Sequence, residues 1–272
     1  MPWTSEHIPW LKEKANTLTT VDGKPVDVFE FIPDFTEKKI INAWAKHFRN
    51  HYTLDDEIDF FRDGTGYTKK EYLINTKFPT DVRGFGPGIR AGDFAEILVA
   101  DYLEFTLKHW VPRTRYGSKT IRDESTKGSD LIGFKLFDDS ESEKDILTVL
   151  EVKAQFSGPV VKPRLQDAID DSVKDNLRIG ESLNAIKQRL FDKGGIAEAK
   201  QISRYQNPTD KPYKHQYGAA ALFCNSIFDN KIITSANTSS HSNSKDLLLI
   251  VISADNFMQI VHQLYNIAAD EA

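Results

Sequence analysis

The chain has 272 residues, 40% hydrophobic and 28% charged, a globular composition long enough for one large domain or two small ones. Its net charge of −5 argues against a freestanding protein that grips nucleic acid by bulk charge, and its single cysteine, Cys224, excludes a disulfide framework or a thiolate metal cluster. No run of about 18 apolar residues is present, and the opening MPWTSEHIPW has neither a basic nor an apolar signal region, so a cytoplasmic protein with no membrane span is expected.

In chain order, the first strong pattern is Asp34–Arg49, where Phe35, Ile40, Ile41, Trp44 and Phe48 recur at mostly helical spacing behind a cap at Asp34 or Thr36. The segments DDEIDFFRD and YTKKEYLINTKF carry no decisive period. RGFGPGIRAG, from Arg83 to Gly92, is rich in glycine and proline and reads as a hinge loop. Residues 1–82 therefore read as a helical accessory region suited to partner binding, and residues 83–272 as the core.

A helix follows to about Lys108. Its wheel puts Asp93, Asp101, Glu104 and Lys108 on one polar arc, with Phe94, Leu98, Tyr102 and Phe105 in the opposite apolar arc. Glu96 falls instead with Ala100, Leu103 and Leu107, a stripe that faces the protein. A first-turn glutamate favoured by the helix dipole accounts for its position but not its direction. Three strands come next, Val111–Tyr116, Asp130–Leu136 and Leu147–Ala154, read as an antiparallel meander with the acidic turn DDSESEKD joining the last two. Beyond them lie helical territory over Arg164–Phe191 with a break near Gly180, a buried strand at Tyr217–Cys224, a polar loop TSANTSSHSNSKD, a strand DLLLIVI and a helix from Asp255 to Ala268. The order is that of an α/β core with an α-helical N-terminal addition.

One strand breaks its own pattern. In LTVLEVKA, Glu151 and Lys153 share a face about 7 Å apart along an otherwise apolar run. A charge leaving water costs several kcal/mol unless paired or bound to a cation. An edge strand emerging into solvent with a surface Glu–Lys pair accounts for the two residues alone. If this strand and the one before it pair as a hairpin across the acidic turn, however, Asp130 at the start of the first approaches Glu151 and Lys153 at the end of the second. An Asp facing a Glu is repulsive unless a cation lies between them, whereas an Asp beside a Lys is an ion pair.

With Glu96 directed inward, the convergent acids suit a hard divalent ion such as Mg²⁺, with Mn²⁺ able to substitute. Lys153 would orient water or offset phosphate charge, and burial beside the metal would draw its pKa down toward proton transfer. Basic residues cluster at Arg113, Arg115, Lys119, Arg122 and Lys127 and again at Lys187, Arg189, Lys193, Lys200 and Arg204. A solvated face accounts for either cluster, and Arg113, Arg115, Lys119 and Lys127 are candidate DNA-phosphate contacts. The histidines show no HxH or HExxH spacing, so no zinc site is expected, and the glycine-rich hinge lacks the GKS or GKT of a phosphate loop.

The set Glu96, Asp130, Glu151 and Lys153 resembles the site of the PD-(D/E)xK nuclease superfamily, with Ser129 standing where its signature has proline. That resemblance implies a restriction-endonuclease-like core, metal ligation by Asp130, Glu151 and Glu96, and a polar accessory role for Gln155, for which strand-end capping is an equal reading. GIRAGDFAEILVADYLE, KGSDLIGF and LTVLEVKA, in that order, are similar to the HamA family of the bacterial Hachiman antiviral defence system. This likeness implies a DNA-degrading effector with little sequence specificity, working with a HamB-like superfamily 2 helicase. A sequence-specific restriction endonuclease and a catalytically idle regulatory subunit of a helicase are the alternatives.

Overall fold

The computed structural model describes residues 2–15, 17–82, 84–137 and 141–272. Arg83 of the glycine-rich segment and Asp138, Asp139 and Ser140 of the acidic turn lie outside the described residues. The architecture is a mixed seven-stranded sheet with helices on both faces. Among the described residues no helix is long and apolar enough to cross a membrane.

The N-terminal strands are β1 (Leu11–Glu13), β2 (Leu18–Thr19) and β3 (Pro25–Phe31), followed by helices α1 (Lys38–Asn50), α2 (Ile58–Arg62) and α3 (Lys69–Tyr72). Helix α4 (Gly86–Asp101) leads to β4 (Leu131–Lys135) and β5 (Ile146–Gln155). Then come α5 (Arg164–Asp192), α6 (Ile196–Ser203), β6 (Lys214–Cys224), α7 (Asn230–Thr234), β7 (Leu248–Ala254) and α8 (Phe257–Asp270). The sheet order is β1-β3-β7-β6-β5-β4, with β2 on β3; β4 runs antiparallel to β5, while β5, β6 and β7 are parallel.

The expected α-helical N-terminal addition is corrected by β3, which runs parallel to β7 with Asp27 opposite Ile250 and so belongs to the sheet. Alternation across β3 puts Val26 and Val28 on one face and Phe29 and Phe31 on the other, where Trp44 and Phe48 of α1 pack with Phe94 of α4 and Phe257 of α8. The other face is covered by Leu165, Ala168 and Ile169 of α5 and Ile202 of α6. The pairing of β3 with β7 joins residues more than two hundred positions apart, and no local period reveals it.

Three further expectations are corrected. From Gly86 to Gly92 the glycine-rich segment is helical, the opening of α4: Pro87 occupies an early position where its missing N–H costs nothing, and a Cβ at Gly86 would lie 2.0 Å from Thr80 Oγ1 and 2.4 Å from its carbonyl oxygen. Val111–Tyr116 is no strand. Only Trp110 bridges to Phe134; Pro112 has no N–H to donate, and Arg113 and Arg115 turn to internal acids. Helix α5 passes through Gly180 unbroken, because its apolar face outweighs the ~1 kcal/mol a mid-helix glycine costs.

Candidate active site

Leu131 pairs with Leu150, so Asp130 stands across from Glu151 at the end of the β4–β5 hairpin. The Val152 N–H donates to Asp130 Oδ2 at 3.1 Å, which ties the carboxylate to the neighbouring strand. Leu147 and Val149 face α5 and Leu150 and Val152 face α4, so the strand period sends Glu151 and Lys153 to the α5 side. Lys153 Nζ lies 2.5 Å from Glu151 Oε1 and 2.8 Å from Asp171 Oδ2 on α5.

Glu96 is buried on α4, as its stripe predicts, and joins the group through Arg115. The Arg115 guanidinium sits 3.0 Å from Glu96 Oε2 and donates to Asp130 Oδ1 at 2.9 Å; Tyr116 Oη donates to Glu96 Oε2 at 2.6 Å. Arg115 also donates to the carbonyl oxygens of Ser129 and Thr126, fixing the loop that delivers Asp130. Ser129, where the superfamily signature has proline, is buried, and its N–H donates to Ser182 Oγ of α5 at 3.1 Å. Glu96, Asp130, Glu151, Lys153 and Asp171 line one cleft of about 660 Å³.

The electrostatics are those of too many acids in too little water. Burial pushes the Glu96 carboxyl up to about 8; Arg115 opposes the shift, and Asp130 and Asp93 add to it. Burial and Asp130 push Glu151 up to about 7 against the pull of Lys153. Burial alone would depress the Lys153 ammonium, but Asp171 and Glu151 hold it above the ordinary lysine value. Lys153 is thus a fixed cation in this arrangement.

Other expected contacts have different partners. Arg113 pairs with Asp101 at 2.7 Å and with Glu104, and Lys119 Nζ lies 2.5 Å from Asp93 Oδ2, all with nearly buried side chains except Glu104. Arg113, Arg115 and Lys119 are therefore internal counter-charges, and Lys127 alone of the four is exposed at the cleft. The same pairs correct the polar arc of α4, because Asp93 and Asp101 are buried against the N-terminal region. Gln155 caps the turn after β5: Nε2 donates to the Val160 carbonyl at 2.8 Å and Oε1 accepts from Lys162 N–H at 2.8 Å.

Three features escaped the sequence reading. Asp171 and Asp175 sit four apart on α5, and burial pushes the enclosed Asp175 carboxyl up to about 6. An acid pair at one-turn spacing on the helix after the ExK strand is the signal that could have found them. Third, His47 and His51, also four apart, meet Asp101 with ligand atoms within 4.8 Å of one another, a grouping that the HxH and HExxH patterns miss. Arg113 already serves these groups as a cation, 2.8 Å from His51 Nε2 and 3.3 Å from His47 Nε2.

A family model described as HamA matches residues 6–268, nearly the whole chain. No curated protein matches the sequence.

Proposed function

Since the chain belongs to the HamA family, a component of the Hachiman antiviral defence system, we propose that it is the system's metal-dependent DNA nuclease, built on a restriction-endonuclease-like core. The observation that carries this reading is the cross-strand meeting of Asp130 and Glu151, with Lys153 beside them and Glu96 behind. An oxygen-only donor set with surplus negative charge fits a hard divalent ion such as Mg²⁺ or Mn²⁺. When bound, that ion would activate water and offset charge on the scissile phosphate.

The remaining tasks fall to the chain itself. Asp130, at the head of β4, and Glu151 of β5 would hold the ion, and Glu96 would anchor a water or serve as a further ligand. Lys153, kept charged and positioned by Asp171, faces the developing negative charge on phosphate and orients the attacking water. Backbone phosphates carry no base information, so hydrolysis of DNA with little sequence preference is the reading these contacts support. The physiological setting we propose is a complex with a HamB-like superfamily 2 helicase, which delivers the DNA.

The test is cleavage of linear and circular DNA in Mg²⁺ or Mn²⁺, with and without the helicase, by wild type, Glu151→Ala and Lys153→Ala. Cleavage by wild type alone among the three is expected. Equal cleavage by all three overturns the assignment of these residues.

A further inference from the structure

Behind the acids lies a second space. A cavity of about 70 Å³ is enclosed by α4, the 111–116 segment, the start of β4 and α5, and it meets the open cleft at Lys127, Gly128 and Asp130. Ile97, Ala100, Leu131 and Ala185 give it an apolar wall. Its charged lining is dominated by cations: Arg113, Arg115, Lys127 and Arg189 against Glu96 and Asp130.

Arg113 and Arg115 are committed to acids. Among the described residues the Arg189 side chain has no hydrogen bond or ion pair, although it is half-buried. Burial and the facing Arg115 lower the Arg189 pKa, the signature of a guanidinium that lacks its anion. Along α5, Lys174, Arg178, Ser182, Ala185 and Arg189 follow the helical period; the first two line the cleft and the last three line the cavity. At the cleft Lys174 is paired with Asp171 and Arg178 lies near Glu181, and further along the same helical face Arg189 reaches the cavity.

We propose that this cavity binds a terminal phosphate monoester, the phosphorylated end of a nucleic-acid strand lying along α5. The proposal rests on the nuclease reading for its substrate class. On the scale where one buried water needs about 10–15 Å³, 70 Å³ has room for a group the size of a phosphate. A strand end entering from the cleft at Lys127 and Gly128 meets the apolar wall behind the cations. Arg189 and Lys127 supply the counter-charge, the Ser182 hydroxyl sits beside them, and Arg115 stands between the phosphate and the carboxylates that would repel it.

The experiment compares binding of short single-stranded oligodeoxynucleotides that differ only in a 5′-phosphate, a 3′-phosphate or neither, on the full chain in chelator so that no strand is cut. One phosphorylated end should bind about tenfold to a hundredfold tighter than the hydroxyl end, the range of one charged hydrogen-bonding interaction. Inorganic phosphate should compete. Arg189→Met and Ala185→Leu, which removes the free space instead of the charge, should each abolish the preference. AMP binding more tightly than the phosphorylated strand assigns the pocket to a free nucleotide, still a phosphate monoester. Equal affinity of all three strands, with no competition by phosphate or AMP, overturns the proposal. Mn²⁺ titration of the wild type reports separately on the acid centre, so either reading can fail while the other stands.

Discussion

Replacing Arg115 by methionine tests how the acid cluster is held. The side chain is 13% exposed and spans Glu96, Asp130 and two loop carbonyls, so Arg115→Met leaves buried carboxylates without their counter-charge. Breaking such a pair costs about 3–5 kcal/mol. Glu96 moderates the loss, because its carboxyl is already pushed up to about 8 and takes a proton near neutrality instead of standing charged. The cost at pH 7 should therefore fall at the lower end, ~3 kcal/mol, a fall of about 6–12 °C in Tm for a chain of this size.

The sign of the pH dependence follows from the direction of the shift. A carboxyl whose pKa rises on folding is no burden while protonated in both states, and it destabilises as pH climbs from its unfolded value through its folded one. Arg115 holds Glu96 down to about 8, and without it the carboxyl lies higher still, so the Glu96 share of the Arg115→Met deficit should be nearly level up to about pH 7 and grow toward pH 8 and beyond. Mg²⁺ at a hundred times its Kd returns about 2.7 kcal/mol, and with the competing guanidinium gone the variant should gain more from it than wild type. Differential scanning calorimetry across pH 5–8, with and without Mg²⁺, reads both effects. A shift below about 2 °C at pH 8, or a Mg²⁺ response no larger than that of wild type, refutes the reasoning.

Other outcomes follow from the same geometry. Protons compete with metal at Glu151 and Glu96, pushed up to about 7 and about 8, so divalent affinity should rise steeply between pH 6 and 8, measured by Mn²⁺ titration; a flat profile counts against these ligands. Asp171→Asn should lower cleavage less than Lys153→Ala, since it loosens the ammonium without removing it; equal losses would make Asp171 more than a positioning residue. Gly86→Ala forces a Cβ onto the Thr80 backbone and should cost about 1–3 kcal/mol in denaturant unfolding, whereas a neutral result contradicts the close approach. Burial lowers His47 to about 4, so the stability it contributes is full above the unfolded value near 6.5 and lost as pH falls toward 4; His47→Asn should flatten that acid limb.

Local pattern accounts for what the sequence revealed and what it hid. The hairpin that sets Asp130 across from Glu151 follows from two short apolar runs and a turn, and the inward Glu96 follows from a helical wheel; both are relations among near neighbours. The strand β3 is invisible in the same terms, because its partner β7 is the far end of the chain. Arg113, Arg115 and Lys119 looked like a basic surface because sequence shows a charge but not its partner. The partners, Asp101, Glu96 and Asp93, had been assigned to other faces of α4 or to other roles. Asp171 and Asp175 lie on a helix for which the sequence reading gives an extent and a break but no face.

The central claim is that Asp130 and Glu151 share a cation beside Lys153. A crystal of the wild-type protein grown with Mn²⁺, with anomalous diffraction recorded at the manganese edge, places the metal without reference to activity. The account predicts a peak within coordinating distance of both carboxylates and on the Lys153 side of the sheet. Density at His47, His51 and Asp101 with none at Asp130 and Glu151 contradicts it.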